Sequence, residues 1–223
     1  MLKLGIDDAG RGPVIGPMVL AGCLIDDKTE REFRRLGVKD SKQLSEKRRE
    51  FLAQIIREKA ETFEVIIIHP KKIDHDNSVG VKLNEVEAFA CARIINKINK
   101  GYKNLKVILD CPSTNLEKWK DFLKTKLNYL SNLEIVCEHK ADKNYIAVSA
   151  ASILAKSVRE KEMLKLKKRF GKDMGSGYSS DPTTSKFLEK NLKKYNNHGI
   201  FRKSWQTWKV AFGKQEQKKL SEF

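Results

Sequence analysis

The apolar residues of the chain fall into short strand-like runs separated by segments of helical spacing. Leu2 to Ile6 and Ile15 to Ile25 are nearly continuous apolar stretches joined by a short glycine-rich turn, which predicts two buried strands paired antiparallel. Phe63 to Ile68 is β-branched and predicts a third strand stopping at Pro70; Leu105 to Leu109 and Leu133 to Val136 predict a fourth and a fifth. Between them the spacing predicts helices over Asp27 to Leu36, ended by Gly37, and from a Ser45 cap to about Ala60, with Phe51, Leu52, Ile55 and Ile56 on one face. Further helices are predicted over Asn84 to Lys97, Leu116 to Leu130 and Ile146 to Phe170. The first half of the last is small and apolar nearly all round, as for a helix buried against a sheet, and its Lys/Glu-rich second half suits solvent. Past Gly171 come a loop at Gly175 to Pro182, a Lys-rich helix over Thr184 to Tyr195, a short helix over Ser204 to Phe212, and a tail. Strands in a meander and then alternating with helices predict an α/β fold: a mixed five-stranded sheet flanked by helices, with a small C-terminal helical region. The expected division is residues 1–170 as the main domain, 171–212 as a helical subdomain and 213–223 as a flexible tail.

Charge narrows the partners. Of 223 residues, 45 are Lys or Arg and 29 Asp or Glu, a formal charge of +16. That excess exceeds what solubility needs and points to a polyanion, nucleic acid first. A membrane surface is the rival, but no basic amphipathic helix with a Trp/Phe/Leu face stands out, and no apolar run approaches the ~20 residues of a spanning helix. The amino terminus does not read as a signal peptide. Cys23, Cys91, Cys111 and Cys137 form no Cys-x-x-Cys pair and lie far apart in sequence, which argues against a zinc site or disulfide framework and for a reducing cytoplasm.

Candidate chemistry begins at Gly5-Ile6-Asp7-Asp8-Ala9-Gly10-Arg11-Gly12, where two carboxylates close an apolar run and a glycine turn with one arginine follows. Successive strand side chains point to opposite faces, so Asp7 and Asp8 can share a site only where the strand is ending, the end at which open α/β sheets carry ligands. Asp110 has the same kind of address after the fourth strand, and Asp142 follows the fifth. Carboxylates gathered at one sheet edge repel one another unless cations bind among them. Oxygen-only ligands suit Mg²⁺ or Mn²⁺, and a pair of such ions can drive phosphodiester hydrolysis. Taken singly, each Asp is more often a cap or turn residue, so the residues leave a metal-dependent phosphodiesterase and an ordinary set of strand ends both open.

With these residues in their order, the sequence resembles the ribonuclease HII family in its archaeal form. The resemblance spans nearly the whole chain: G-I-D-D-A-G-R-G at Gly5 to Gly12, D-S-K at Asp40 to Lys42, L-D at Leu109-Asp110, E-H-K-A-D at Glu138 to Asp142, S-A-A-S-I-L-A-K at Ser149 to Lys156, G-S-G-Y-S-S-D-P at Gly175 to Pro182, and R-K-S-W-Q-T at Arg202 to Thr207. Each block alone is weak; the ordered set is specific. It implies an RNase H-like fold and an endoribonuclease that cleaves RNA in RNA–DNA hybrids and cuts 5′ of ribonucleotides in duplex DNA. Mg²⁺ or Mn²⁺ would serve as cofactor, two ions in the active complex, in a monomer working in replication and repair. By resemblance the metal-binding, catalytic carboxylates are Asp7, Asp8, Asp110 and Asp142. Gly10, Arg11 and Gly12 match the turn that senses the ribose 2′-hydroxyl, Tyr178 a tyrosine packing on the sugar, and Lys42 a phosphate-contacting lysine. The plainer readings are a hydrogen-bonded core tyrosine and a solvated lysine; His139 is expected to orient its loop.

Two positions depart from the family. Asp8 stands where the family normally has Glu, and its oxygens reach about 1.5 Å less. Ser179 follows Tyr178 where proline is common. The shorter Asp8 motivates an alternative, a hybrid-binding protein of this fold with impaired catalysis; a basic structural protein is a third reading. The terminus supplies one more motif: Gln217, Leu220 and Phe223 have the spacing of the peptide by which replication and repair enzymes dock on the PCNA sliding clamp. The competing reading is a frayed basic end.

Overall fold

The computed structural model describes residues 1–39 and 44–220, with side chains as far as residue 214. The chain runs β1 (Leu2–Ala9), β2 (Met18–Ile25), α1 (Asp27–Leu36), α2 (Glu46–Lys59), β3 (Thr62–Ile68), α3 (Pro70–Ser78), α4 (Leu83–Ile98), β4 (Leu105–Asp110), α5 (Leu116–Lys124), β5 (Leu133–Glu138), α6 (Ala141–Asn144), α7 (Ile146–Phe170), a 3₁₀ turn (Lys172–Met174), α8 (Pro182–Tyr195) and α9 (Gln206–Leu220). The strands form one sheet in the order β3-β2-β1-β4-β5. β1 pairs antiparallel with β2 and parallel with β4, and β4 parallel with β5. This is the expected mixed five-stranded sheet, and chain order reverses between β1 and β4.

Two compact units are distinguished, each drawn from separate stretches of sequence. The first comprises Met1–Ala9, Val19–Ile67 and Leu83–Val158; the second comprises Gly10–Met18, Ile68–Lys82 and Arg159–Phe223. A division after residue 170 does not reproduce this, because the segments of the second unit are joined by contacts between distant residues that local pattern cannot reveal.

In the first unit every residue of β2 is buried. Val19, Ala21, Cys23 and Ile25 on one face of β2 meet Phe33 of α1, Leu52 and Ile56 of α2, and Ala147 to Leu154 of α7. The other face lies against α4, and a Cβ at Gly22 would come within 2.3 Å of Ile94. Gly5 has still less room: a Cβ there would sit 2.1 Å from the main chain of Ala147. The small residues of α7 and the glycine of β1 together let helix and strand backbones touch, as a helix apolar all round requires. The second unit has its own core, in which Val14 and Ile15 pack with Met163, Phe187, Leu192, Ile200 and Phe201.

Several boundaries differ from the sequence expectation, and β1 runs past Ile6 through Asp7 and Asp8 to Ala9. β2 starts at Met18, and Ile15 instead makes an isolated bridge to Phe201. Pro70 opens α3 rather than merely ending β3, since proline suits the first turn of a helix. α5 stops at Lys124, not Leu130, because Asn96 of α4 donates to the Lys126 carbonyl and accepts from the Asn128 N–H, holding that segment off the helical path. α9 continues through Gly213 to Leu220; the Lys, Gln and Glu residues there are good helix formers and offset one glycine. Among the described residues no helix is long and apolar enough to cross a membrane.

Candidate active site

The parallel pairing of β1 with β4 ends at Ile6↔Leu109. Asp7 and Asp110 come next, at the point where these strands part and chain order reverses, the usual ligand position of an open α/β sheet. Each remains held on its other side, Asp7 opposite Ala21 of β2 and Asp110 opposite Glu138 of β5. Asp7, Asp8 and Asp110 line one cleft together with Glu87 and Cys91 of α4 and Trp119 of α5. Asp7 and Asp8 therefore reach one site although they alternate along the strand, because the sheet is open there.

Asp7 is 6% exposed. Burial first, then the charge of Asp8, and also that of Asp110, push its carboxyl well above the ordinary range, against hydrogen bonds from the Ser152 hydroxyl and the Asp8 N–H. The Asp8 N–H lies 2.7 Å from Asp7 Oδ1. Ser152, fully buried on α7, in turn accepts from Lys156 Nζ at 3.0 Å. The close approach of Ala147 to Gly5 sets α7 against β1 so that Ser152, five residues on, meets Asp7, two residues on.

Asp142 lies on α6 and is also 6% exposed. The preceding residue, Ala141, donates its N–H to Asp110 Oδ1 at 3.2 Å. Ser149 Oγ donates to the Asp142 carbonyl at 2.5 Å, fixing α6 to α7. Lys140, which caps α6, has φ 58 and is the one non-glycine residue with positive φ among those described. This left-handed step costs roughly 1–2 kcal/mol and turns the chain sharply from β5 into α6. His139 orients the same loop through Nδ1, 3.1 Å from the Cys111 carbonyl. Cys111 and Cys137, distant in sequence, meet through a thiol hydrogen bond, and the four cysteines are free.

By donor type this set suits a hard divalent cation: oxygen ligands, and a buried carboxyl whose neighbours oppose its ionisation. Among the described residues no three His, Cys, Asp or Glu side chains already stand in ligand geometry. Asp142 is not among the residues lining the cleft of Asp7, Asp8 and Asp110.

The glycine turn and Tyr178 belong to the second unit. Gly10 has φ +80, and a Cβ there would strike the Arg159 side chain at 2.1 Å, so only glycine fits. Gly12 is exposed, and its Cβ position lies 3.7 Å from Tyr178 Cε1, an ordinary contact. Tyr178 is 39% exposed, with the Arg159 guanidinium 5.2 Å from its ring centroid; it is not a core tyrosine. Its loop is tied to the turn because the Gly177 carbonyl accepts from the N–H groups of Val14 (2.9 Å) and Ile15 (3.2 Å). Asp181 caps α8 and accepts from the Ser176 N–H, which holds its carboxyl well below the usual range.

Lys42 and Phe223 lie outside the described residues. Gln217 and Leu220 fall on α9, where the main chain alone is described. Sequence reading assigned no role to Glu87, Ser152, Lys156, Arg159 or Arg202. Ser152 and Lys156 carried a usable signal, a polar pair four apart on an otherwise apolar helix; Glu87, inside an amphipathic pattern, carried none.

A family model described as Ribonuclease HII matches residues 4–208. A curated ribonuclease HII of Methanococcus maripaludis is 44% identical over 220 residues, covering 97% of this chain and 90% of that protein. The crystal structure of ribonuclease H2 from Pyrococcus horikoshii superposes with a TM-score of 0.84 at 37% identity, over 95% of this chain and 97% of that one. The ribonuclease HII in the PCNA:RNase HII complex from Archaeoglobus fulgidus superposes with a TM-score of 0.81 at 39% identity, over 92% and 96%.

The raised Asp7 carboxyl has a consequence for stability. A carboxyl whose folded pKa exceeds its unfolded value of about 4 favours folding while protonated, and that advantage is lost as pH rises through the folded pKa. Without divalent ions, Asp7→Asn should therefore melt at a higher temperature than the parent at pH 8, with the gap closing towards about pH 4. Thermal unfolding in EDTA at both pH values checks this. Asp7→Asn melting below the parent at pH 8 would show that the hydrogen bonds from Ser152 and Asp8 outweigh the repulsion.

Proposed function

The chain belongs to the ribonuclease HII family of metal-dependent endoribonucleases, and from that premise we propose that it hydrolyses the RNA strand of RNA–DNA hybrids and cuts duplex DNA 5′ of an embedded ribonucleotide, leaving 3′-hydroxyl and 5′-phosphate ends. The observation that carries this reading is the buried Asp7, opposed by Asp8 and Asp110 where β1 and β4 part. Asp7, Asp8, Asp110 and Asp142 would hold two ions, Mg²⁺ or Mn²⁺, which when bound supply activation of water and stabilisation of the leaving oxygen.

The chain's own groups do the orienting. Ser152 and the Asp8 N–H fix the Asp7 carboxyl, the Ala141 N–H fixes Asp110, and Ser149 anchors the main chain at Asp142. The turn of Gly10, Arg11 and Gly12 recognises the 2′-hydroxyl, the group that separates RNA from DNA. Tyr178 packs on the sugar, Lys42 contacts a phosphate, and the +16 charge holds the duplex backbone, so affinity falls with salt. The free thiols accord with a cytoplasmic enzyme. The Archaeoglobus relative in a PCNA complex supports docking of the terminal Gln217, Leu220 and Phe223 on a sliding clamp.

The test is cleavage of duplex DNA carrying one ribonucleotide, with Mg²⁺ or Mn²⁺. The parent should cut 5′ of the ribonucleotide and leave the all-DNA duplex intact. Asp7→Asn, Asp110→Asn and Asp142→Asn should each lose at least about 100-fold in turnover, since even residues behind metal ligands cost 10–100-fold. Asp8→Glu should maintain or raise activity by restoring reach. Comparable cutting of all-DNA duplex, or a folded Asp7→Asn of full activity, would refute the assignment.

For the tail, Phe223→Ala or removal of residues 217–223 should abolish clamp binding in calorimetry while hydrolysis of short duplexes is unchanged. Equal clamp affinity with and without the tail would return it to a plain terminus.

A further inference from the structure

Arg202 is fully buried in the second unit. A guanidinium removed from water is costly unless its donors are met. Here they are met by the main chain of the glycine turn: Nη2 donates to the Gly10 carbonyl at 2.6 Å, Nη1 to the Arg11 carbonyl at 2.7 Å and Nε to the Gly16 carbonyl at 3.1 Å. Trp205 adds its Nε1–H to the Gly12 carbonyl at 3.1 Å, with its ring 5.0 Å from the Arg202 guanidinium carbon. The segment carrying both is pinned by Asp74 of α3, which accepts from the N–H groups of Lys203 and Ser204, each at 2.9 Å.

These bonds set the direction of the turn's peptides. No described peptide bond is cis, and in a trans peptide the carbonyl and the N–H point opposite ways. With the Gly10 and Arg11 carbonyls drawn to Arg202, the N–H groups of Arg11 and Gly12 face away from it. The Gly12 carbonyl, drawn to Trp205, precedes Pro13, which has no N–H. The Gly12 N–H thus lies on the outer side of the turn, beside the ring of Tyr178.

We infer that Arg202 and Trp205 are positioning residues for ribose recognition: by holding the carbonyls of residues 10–12 they aim the Gly12 N–H at the 2′-hydroxyl. This rests on the reading of the turn as the ribose sensor. Both act through the carbonyls of the turn, so their loss acts on turnover at a ribonucleotide and leaves the phosphate-driven affinity for plain duplex unchanged.

The test compares Arg202→Met, Arg202→Lys, Trp205→Phe and Gly12→Ala in the full chain, by kcat on duplex DNA with one ribonucleotide and by Kd for the same duplex in all-DNA form. Trp205→Phe, which loses one N–H and keeps the aromatic body, should lower kcat about fivefold. Arg202→Met should lower it about 100-fold, with Arg202→Lys intermediate, and the all-DNA Kd should stay within about twofold in all three because it rests on phosphate contacts. A purely structural role would instead weaken kcat and all-DNA binding together, with no rescue by lysine, and that pattern overturns the inference. If Arg202→Met fails to fold, Trp205→Phe and Arg202→Lys decide by the same two readouts. Gly12→Ala, whose methyl group meets no clash within the protein but would stand beside Tyr178 where the sugar must approach, separates the premise: if it cuts like the parent, the turn is not the sensor. If it is impaired while folded Arg202 and Trp205 variants keep full kcat, the sensor stands and the positioning role falls.

Discussion

One unfavourable interaction governs the first unit: Asp7 is buried with like charges on Asp8 and Asp110 beside it. A fold tolerates such a cost only where the surrounding structure over-determines it, and here it does. The β1–β2 ladder holds Asp7 on one side, Gly5 lets α7 close against β1, and α7 then delivers the Ser152 hydroxyl to the carboxyl. The strained Lys140 and the bond from Ala141 to Asp110 serve the same end from the other strand. A divalent cation among these carboxylates would offset the repulsion that raises Asp7.

The second unit solves a different problem, holding main chain rather than charge. The carbonyls of its Gly10–Gly12 turn accept from the Arg202 and Trp205 side chains, and just after the turn Val14 and Ile15 donate to the Gly177 carbonyl. The chain passes between the two units five times, last within α7, whose small buried first half belongs to one and whose basic second half belongs to the other.

Much of this was legible in the sequence, and for identifiable reasons. The strands were visible because they are short, apolar and bounded by turn residues, and α7 because Ile146 to Ala155 carries only small or apolar residues, two of them serine. The carboxylates were visible because each comes at or soon after the end of an apolar run. What stayed hidden depends on contacts between distant residues. Asn96 ends α5 from another helix, Pro70 starts a helix too polar to show periodicity, and Glu87 is one of two acids on α4. Arg202 reads in sequence as one of 45 cationic residues; only its burial against the Gly10 and Arg11 carbonyls separates it from the solvated rest.

The central claim is that the four aspartates act together as a divalent-cation site. Its most direct measurement is calorimetric titration of Mn²⁺ into the protein bound to an all-DNA duplex, for the parent and for Asp7→Asn, Asp110→Asn and Asp142→Asn. The account predicts saturable binding in the parent, weakened at least about 10-fold in each variant. Mn²⁺ binding equally tight in a folded Asp7→Asn would contradict it.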